Sequence, residues 1–480
     1  MKKLVQNISI TNSESIFLKK KTLSFAEACS RLISKNPLLT CIVTAFIMMS
    51  WPFVYYPLTD GDVAHWIKVA NHVRINNLFL TSINDQTHGP ILSWASGIIT
   101  KIAPHSFYSY ALWDIVLGLF GIWLIYFFSY KIWHNRKIAR LNAVILSSSL
   151  AYIYLIRTPM YDFTSAIFYF AFAGMYLLYI LEKDETNRYF LLSLLFVGLG
   201  SLSRFSICLG LAEIYMVLVS LAYKRKFTLI IRDGFLIFLL PLLFNLPWII
   251  GQTHVYGNQF LSDFFYDNFG RYIKEPGTKS EINKDFYAFP LYVIVGMLPF
   301  TSLLVASFFR KTFLQRIRQQ KVYQALVAGF LPGLIIFSLS GHPKLGRYIS
   351  FVFPFVSMLL GHTLYIYDLR DKKLLKKVGW ITLIIMILIA IIFLVVIKHF
   401  LFEAQEGSLL TVGLITLVFS MLAVMYYVIK YKPDLLTKKP ETILFPIALL
   451  YMGFFTILTY ETLHVGFLLA IRQEILSIIK

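Results

Sequence analysis

A chain of 480 residues that is 58% hydrophobic, 17% aromatic and only 15% charged cannot be an ordinary soluble domain, because no compact core hides that much apolar surface. The composition is that of an all-α polytopic membrane protein. Its formal net charge of +20 sits largely between apolar segments, so it reads as a topogenic and lipid-facing signal and argues against nucleic acid as a partner.

In chain order, a polar basic arm (1–37) precedes a first apolar segment at 38–56. That segment is long enough to span and is expected to be an anchor rather than a cleaved signal. A polar stretch at 59–106 follows, with room only for short amphipathic helices. Further apolar segments begin near 107, 141, 162, 189, 205, 229, 288, 323, 349, 378, 409 and 443, which predicts about thirteen transmembrane helices of roughly twenty residues each. Lysines and arginines cluster in the N-terminal arm and at 131–140, 224–226, 310–321, 370–377 and 430–439. These connections alternate, as the positive-inside rule requires, so they are expected to be cytoplasmic together with the N-terminus. An odd span count then puts the C-terminus outside. Cys29, Cys41 and Cys208 form neither a disulfide framework nor a metal-ligand spacing.

The opposite set of connections, with external loops at 59–106 and 251–287, carries the chemistry. It contains Asp60, Asp62, Asp85, His88, Arg157, Asp162, Arg204, Arg271, Lys279, His342, Lys344, Arg347 and Tyr348. Two acids directly after the first span, in Thr59-Asp60-Gly61-Asp62-Val63, are costly at a membrane surface and are not required by packing. Cations on outside loops run against the topogenic rule. A bound anion accounts for them: arginine suits bidentate phosphate contacts and lysine point-charge contacts, so a ring of them is suited to a lipid phosphate or pyrophosphate. Loop 251–287 is long, polar and glycine-containing, which suits closure over a bound donor.

The order of these residues resembles a known family. Asp62, Trp66 and Ala70 are similar to the Asp-Glu-x-x-Tyr-x-x-x-Ala signature of the polytopic GT-C glycosyltransferases, the group that contains the lipid A aminoarabinose transferases and the protein O-mannosyltransferase family. His88-Gly89-Pro90-Ile91-Leu92-Ser93-Trp94 resembles their Lys-Pro-Pro-Leu-x-x-Trp segment. Arg157 and Asp162 resemble their Arg and Asp after the third span, Ser203-Arg204 their Thr-Lys, and Arg271-Tyr272 their Arg-Phe. The run from Ser340 to Pro354, with Lys344, Leu345, Arg347 and Tyr348, resembles their late Ser-x-x-x-Lys-Leu-x-x-Tyr-x-x-Pro segment. Two positions depart: the family's Glu after the first Asp is Val63, and its Lys in the second motif is His88. The register of the key carboxylate therefore stays open between Asp60 and Asp62.

The resemblance implies a GT-C fold, with a catalytic membrane region at 38–361 and further helices and a short external tail at 362–480. It also implies transfer of a sugar from a polyprenyl-phosphate donor to an envelope acceptor, lipid A or its core first, on the outer face of a bacterial inner membrane. In that scheme Asp62 or Asp60 orients or deprotonates the acceptor. Arg204, Arg271, Lys344, Arg347, Tyr348 and His88 face the donor phosphate, and Arg157, Asp162, Trp66 and Asp85 line the substrate site. Single displacement then inverts the sugar. A monomer is expected, with membrane lipids as its surroundings. Metal use stays open: Asp60, Asp62 and His88 offer donors to a divalent metal, but not in a ligand spacing.

Plainer readings stand beside these. Asp62 or Asp60 can serve as a helix cap. Arg157 and Asp162 can form a structural ion pair, and Arg204 can snorkel to the interface. His88 and His342 can be ordinary interfacial residues. Asp114 and Glu213 fall inside spans, where burial is expensive; they either bind neighbouring groups or mark a groove. Two other functions share the external cations, namely a glycan polymerase or ligase using a polyprenyl-pyrophosphate donor and a lipid-linked glycan flippase. A flippase predicts related halves, and none is visible.

Overall fold

The computed structural model describes residues 36–50, 69–71, 88–102, 107–157, 160–182, 186–268, 286–340 and 345–370, with a few isolated positions besides. Among them every regular element is helical. This follows from the bilayer, where a backbone must satisfy its own hydrogen bonds. The elements are α1 (Pro37–Ser50), α2 (Ile91–Ile102), α3 (Phe107–Trp133), α4 (Arg136–Ser147), α5 (Leu150–Ile156), α6 (Tyr161–Glu182), α7 (Arg188–Ser201) and α8 (Phe205–Ala222). They continue with α9 (Phe227–Asn268), α10 (Ala288–Gly296), α11 (Thr301–Phe308), α12 (Lys311–Gln319), α13 (Lys321–Ala328), α14 (Leu331–Leu339), a 3-10 turn (Gly346–Ile349) and α15 (Val352–Arg370).

Five helices among the described residues are long and apolar enough to cross a membrane, and α4 with α5, bent by 61°, makes a sixth if counted as one broken span. The protein is a multi-pass membrane protein. The spans expected from 378, 409 and 443 lie outside the described residues.

Helix α6 is the axis of the bundle. Every residue from Tyr161 to Tyr179 is buried, and α3, α7 and α8 pack around it. Its aromatic face, Tyr169, Phe172 and Tyr176, meets Tyr215 of α8 and Phe351 and Phe355 beside it. Buried phenols find backbone acceptors: Tyr169 donates to the Gly329 carbonyl at 2.9 Å, Tyr215 to Ala173 at 3.1 Å and Tyr152 to Gly118 at 2.7 Å. Each such bond offsets the cost of taking a hydroxyl out of water.

Helix α9 is its opposite. Phe227, Ile231, Phe235, Phe238 and Ile250 are exposed and suit contact with lipid, while Asp233, Ile237, Pro241, Asn245 and Trp248 form a narrow buried stripe at helical spacing. Helix also continues to Asn268 through the first part of the expected loop 251–287. The apolar spacing explains this, since Phe260, Phe264 and Asn268 repeat every four residues and are buried. The path breaks only at Gly257, whose φ of 61° is a left-handed value that glycine adopts without a Cβ clash. Past that break, Phe260 and Phe264 pack edge-on against Trp248 at 5.5 and 5.9 Å.

Because successive helices run back and forth, residues split between two ends. One end holds the starts of α6 and α8, the α7–α8 turn and the 3-10 turn. The other holds Lys131, Glu182, Arg225, Arg310, Lys321 and Tyr367, linked by Lys131–Glu182 at 3.2 Å, Lys321 over Tyr223 and Arg310 over Tyr367.

Candidate active site

The first of these ends gathers the sequence motifs. Arg204 is the N-cap residue of α8 in extended geometry, and Asp162 lies in the first turn of α6. The Asp162 carboxylate meets Arg204 Nε at 3.0 Å and Nη2 at 3.3 Å, and Arg347 Nε at 3.5 Å. Both acid and bases are largely buried, with side-chain exposures of 5% for Asp162, 13% for Arg204 and 10% for Arg347. Two guanidiniums face one carboxylate, so the trio is net cationic, and two helix N-termini add positive dipole ends. This arrangement can receive a phosphate.

Neighbouring contacts fix the trio's frame. Ser203 Oγ donates to the Tyr161 carbonyl at 2.6 Å, and Ser350 Oγ to the Asp162 carbonyl at 3.2 Å. Arg347 Nη1 reaches Met160 Sδ at 3.8 Å, and its guanidinium lies 5.5 Å from the Tyr348 ring centre. Tyr348 stacks on Phe337. Buried His88 lies edge-on to Tyr161 at 5.4 Å, and the Tyr161 hydroxyl shares a 2.5 Å hydrogen bond with Ser93. The His88-Gly89-Pro90 turn is pinned to the α7–α8 turn by Ile91 N–H donating to the Leu202 carbonyl at 3.2 Å. A Cβ on Gly89 would stand 2.2 Å from that carbonyl oxygen, so the second and fourth motifs touch through backbone.

Arg157 is buried and turns elsewhere. Its Nη1 donates to the carbonyls of Met48 and Met49 at 3.3 Å each, satisfying the last turn of α1 just before the segment that carries Asp60 and Asp62. Among the described residues the ion-pair partners of Asp162 are Arg204 and Arg347 rather than Arg157. Of the first motif the structure describes Ala70, whose carbonyl borders Gly97 of α2; its neighbour Asn71 accepts from Tyr110 at 2.5 Å. Asp60, Asp62, Trp66, Asp85, Arg271, Lys279, His342 and Lys344 lie outside the described residues. No group of three or more metal-type ligands occurs among those described.

The sequence reading did not single out Tyr161, Met160 or Ser350. Ser350 was within reach of it, lying inside the late motif; Tyr161 and Met160 carry no signal of their own. Asp114 proves to be a capping group. It is fully buried on α3 and accepts from Met160 N–H at 3.1 Å and Thr164 Oγ1 at 3.0 Å, while Trp113 Nε1 donates to the same Thr164 oxygen at 3.2 Å.

The protein is all-α and polytopic, and at the end opposite its basic connections a buried acid and two largely buried arginines meet where helices begin. Comparison with known proteins defines the class. Residues 87–250 match the family model described as dolichyl-phosphate-mannose-protein mannosyltransferase. The chain is 22% identical over 274 residues to an undecaprenyl phosphate-alpha-4-amino-4-deoxy-L-arabinose arabinosyl transferase of Proteus mirabilis, covering 55% of this chain and 47% of that protein. It is 24% identical over 349 residues to the transferase of the same name in Wigglesworthia glossinidia brevipalpis, covering 70% and 60%. The match thus spans about half to three-fifths of these curated relatives' length. The crystal structure of ArnT from Cupriavidus metallidurans bound to undecaprenyl phosphate superposes with a TM-score of 0.64 at 16% identity, over 89% of this chain and 75% of that one. The fold is GT-C, and the relatives matched in sequence are named as aminoarabinose transferases.

Proposed function

We propose that the chain is a membrane glycosyltransferase that moves a sugar from a polyprenyl-phosphate donor, undecaprenyl phosphate in bacteria, to an envelope acceptor, with lipid A or its core first. The observation that carries this reading is the buried Asp162–Arg204–Arg347 trio at the helix-start end of a GT-C bundle. A departing polyprenyl phosphate carries charge that grows in the transition state, and preorganised guanidiniums in a dry site stabilise it without reorganising. Lys344 and Arg271 add to that clamp, Tyr348 donates a hydrogen bond, and His88 stands at the lysine position of the motif it resembles. Asp62, or Asp60, orients the acceptor and takes its proton if the acceptor is a hydroxyl; an acceptor phosphate, already ionised, needs only positioning. Trp66 and Asp85 line the substrate site. The donor's glycosidic bond breaks as the acceptor oxygen bonds the anomeric carbon from the opposite face, so the product is inverted. By the positive-inside rule the N-terminus is cytoplasmic and the site faces the periplasm of the bacterial inner membrane. The enzyme acts as a monomer. Support also comes from the names of the relatives and from the carrier lipid bound in the Cupriavidus structure.

The test is mass spectrometry of envelope lipids from cells lacking the gene, complemented with the native chain or with Asp62→Asn. A sugar-sized mass that vanishes, returns with the native chain and stays absent with Asp62→Asn supports both reaction and residue. Full restoration by Asp62→Asn moves the role to Asp60, and an unchanged lipid profile throughout excludes lipid A as acceptor.

A further inference from the structure

The α5–α6 corner touches every described charged part of the site. Arg157 before it holds the last carbonyls of α1, and Met160, Tyr161 and Asp162 within it contact Arg347, Ser203 and Arg204. Where that corner sits decides where Asp162 points. Asp114 of α3 ties the corner down, its two oxygens taking the Met160 N–H and the Thr164 hydroxyl at 3.1 and 3.0 Å. Those are groups two before and two after Asp162. The N–H of Met160 precedes the first turn of α6, where a helix has no backbone acceptor of its own, so a neighbouring helix supplies the cap. Trp113 braces the same hydroxyl from one residue away. One and two turns further along, α3 is locked in depth, because a Cβ on Gly118 would stand 2.4 Å from Ile156 and one on Gly121 would stand 2.3 Å from the Tyr152 hydroxyl. A carboxylate that only filled space in a span would be an expensive choice, and here both oxygens are engaged.

We infer that Asp114 is a positioning residue for the transfer reaction, acting through the first turn of α6 to hold Asp162 between Arg204 and Arg347. The inference rests on the glycosyltransferase reading for its kinetic arm and on geometry alone for its structural arm.

The experiment compares the full-length native chain with Asp114→Asn, Thr164→Val and Thr164→Ser in nanodiscs, well below each variant's unfolding midpoint. Two quantities are read: hydrogen exchange of the peptide covering 158–166, and kcat and KM for transfer from undecaprenyl-phosphate aminoarabinose to lipid A. Asp114→Asn leaves a single acceptor oxygen for two donors, the Met160 N–H and the Thr164 hydroxyl, and is expected to raise exchange in that peptide several-fold. It should lower kcat about tenfold while leaving donor KM within twofold, because the cations remain and their alignment is lost. Thr164→Val should fall between, and Thr164→Ser, which keeps the hydroxyl, should restore native kcat. Exchange that rises across all of α6 and α3 alike makes Asp114 a stability residue only and overturns the inference, as does unchanged exchange at 158–166 or a kcat within twofold of native. If the native chain transfers nothing, the reaction reading has failed, and the exchange arm alone decides the positioning role.

Discussion

Each end of the bundle buries an aspartate between two arginines, and the two clusters are built differently. At the basic end Asp233 is fully buried, its arginine partners are its neighbour Arg232 and the nearby Arg225, and Tyr176 donates to it at 3.0 Å. Arg232 holds it through contacts of 2.7 and 3.0 Å, and both arginines also donate to the Tyr179 hydroxyl, at 3.0 and 2.8 Å. At the site end Asp162, Arg204 and Arg347 come from three separate elements, with contacts of 3.0 to 3.5 Å. A cluster closed by sequence neighbours and phenol hydroxyls is a staple. One assembled from distant elements over longer contacts can exchange a carboxylate for a phosphate and responds to any shift in those elements.

Removing a cation at each end puts the contrast to its hardest test. Arg204→Ala should lower kcat/KM for transfer about 100- to 1,000-fold, the loss typical of one preorganised transition-state donor, and Arg204→Lys should recover only part, since a point charge does not reproduce the fork. Arg225→Ala should leave kcat/KM per folded molecule within about twofold, an effect under roughly 0.5 kcal/mol. Comparable losses from both would mean that the basic cluster belongs to the reaction. Stability reverses the ranking. Asp233→Asn leaves the largely buried Arg225 without its counter-charge, while Arg232, 44% exposed, keeps its water, and the change should cost about 3 kcal/mol, read as a lower unfolding midpoint in detergent with kcat per folded molecule unchanged.

A third change acts on backbone rather than charge. Gly89→Ala must displace either its own turn or the Leu202 carbonyl, with a Cβ 2.2 Å from that oxygen, and overpacking of this kind costs about 1–3 kcal/mol. Because Leu202 lies two residues before Arg204, the variant should also lose transfer activity beyond its loss of folded protein. Gly361→Ala, whose Cβ would meet Asn142 Oδ1 at 1.9 Å next to α4, should cost stability alone. Equal activity losses would remove the special link between the Gly89 turn and the site.

Much of this was legible beforehand because the bilayer converts sequence order into place. Motifs on alternate connections must share an end, which is why His88, Asp162, Arg204 and Arg347 come together as their order implied. Contacts across the core were not legible. Nothing in the spacing of Arg157 says that it serves the carbonyls of Met48 and Met49, and nothing in that of Asp114 says that it caps a helix starting at Tyr161. Polar residues in the 251–268 stretch read as loop, yet three buried side chains at fourfold spacing carried the helix to Asn268. There Asn268 Oδ1 accepts from Ser206 N–H and Oγ at the start of α8, a cap whose two halves are 62 residues apart.

The smallest effect separates exposure from location. Glu182 lies at the basic end like Asp233, paired with Lys131 at 3.2 Å and Arg188 at 3.8 Å, but these side chains are 30%, 32% and 62% exposed. Water and salt already stabilise such charges, so Glu182→Gln should move stability by less than about 1 kcal/mol, and the shift should shrink further on raising salt, because charges in contact with solvent are screened. Thermal unfolding at low and high ionic strength reads both. A shift as large as that of Asp233→Asn, or one insensitive to salt, would mean that position at the basic end rather than burial decides what holds the bundle together, and the staple would then extend to its outermost ion pair.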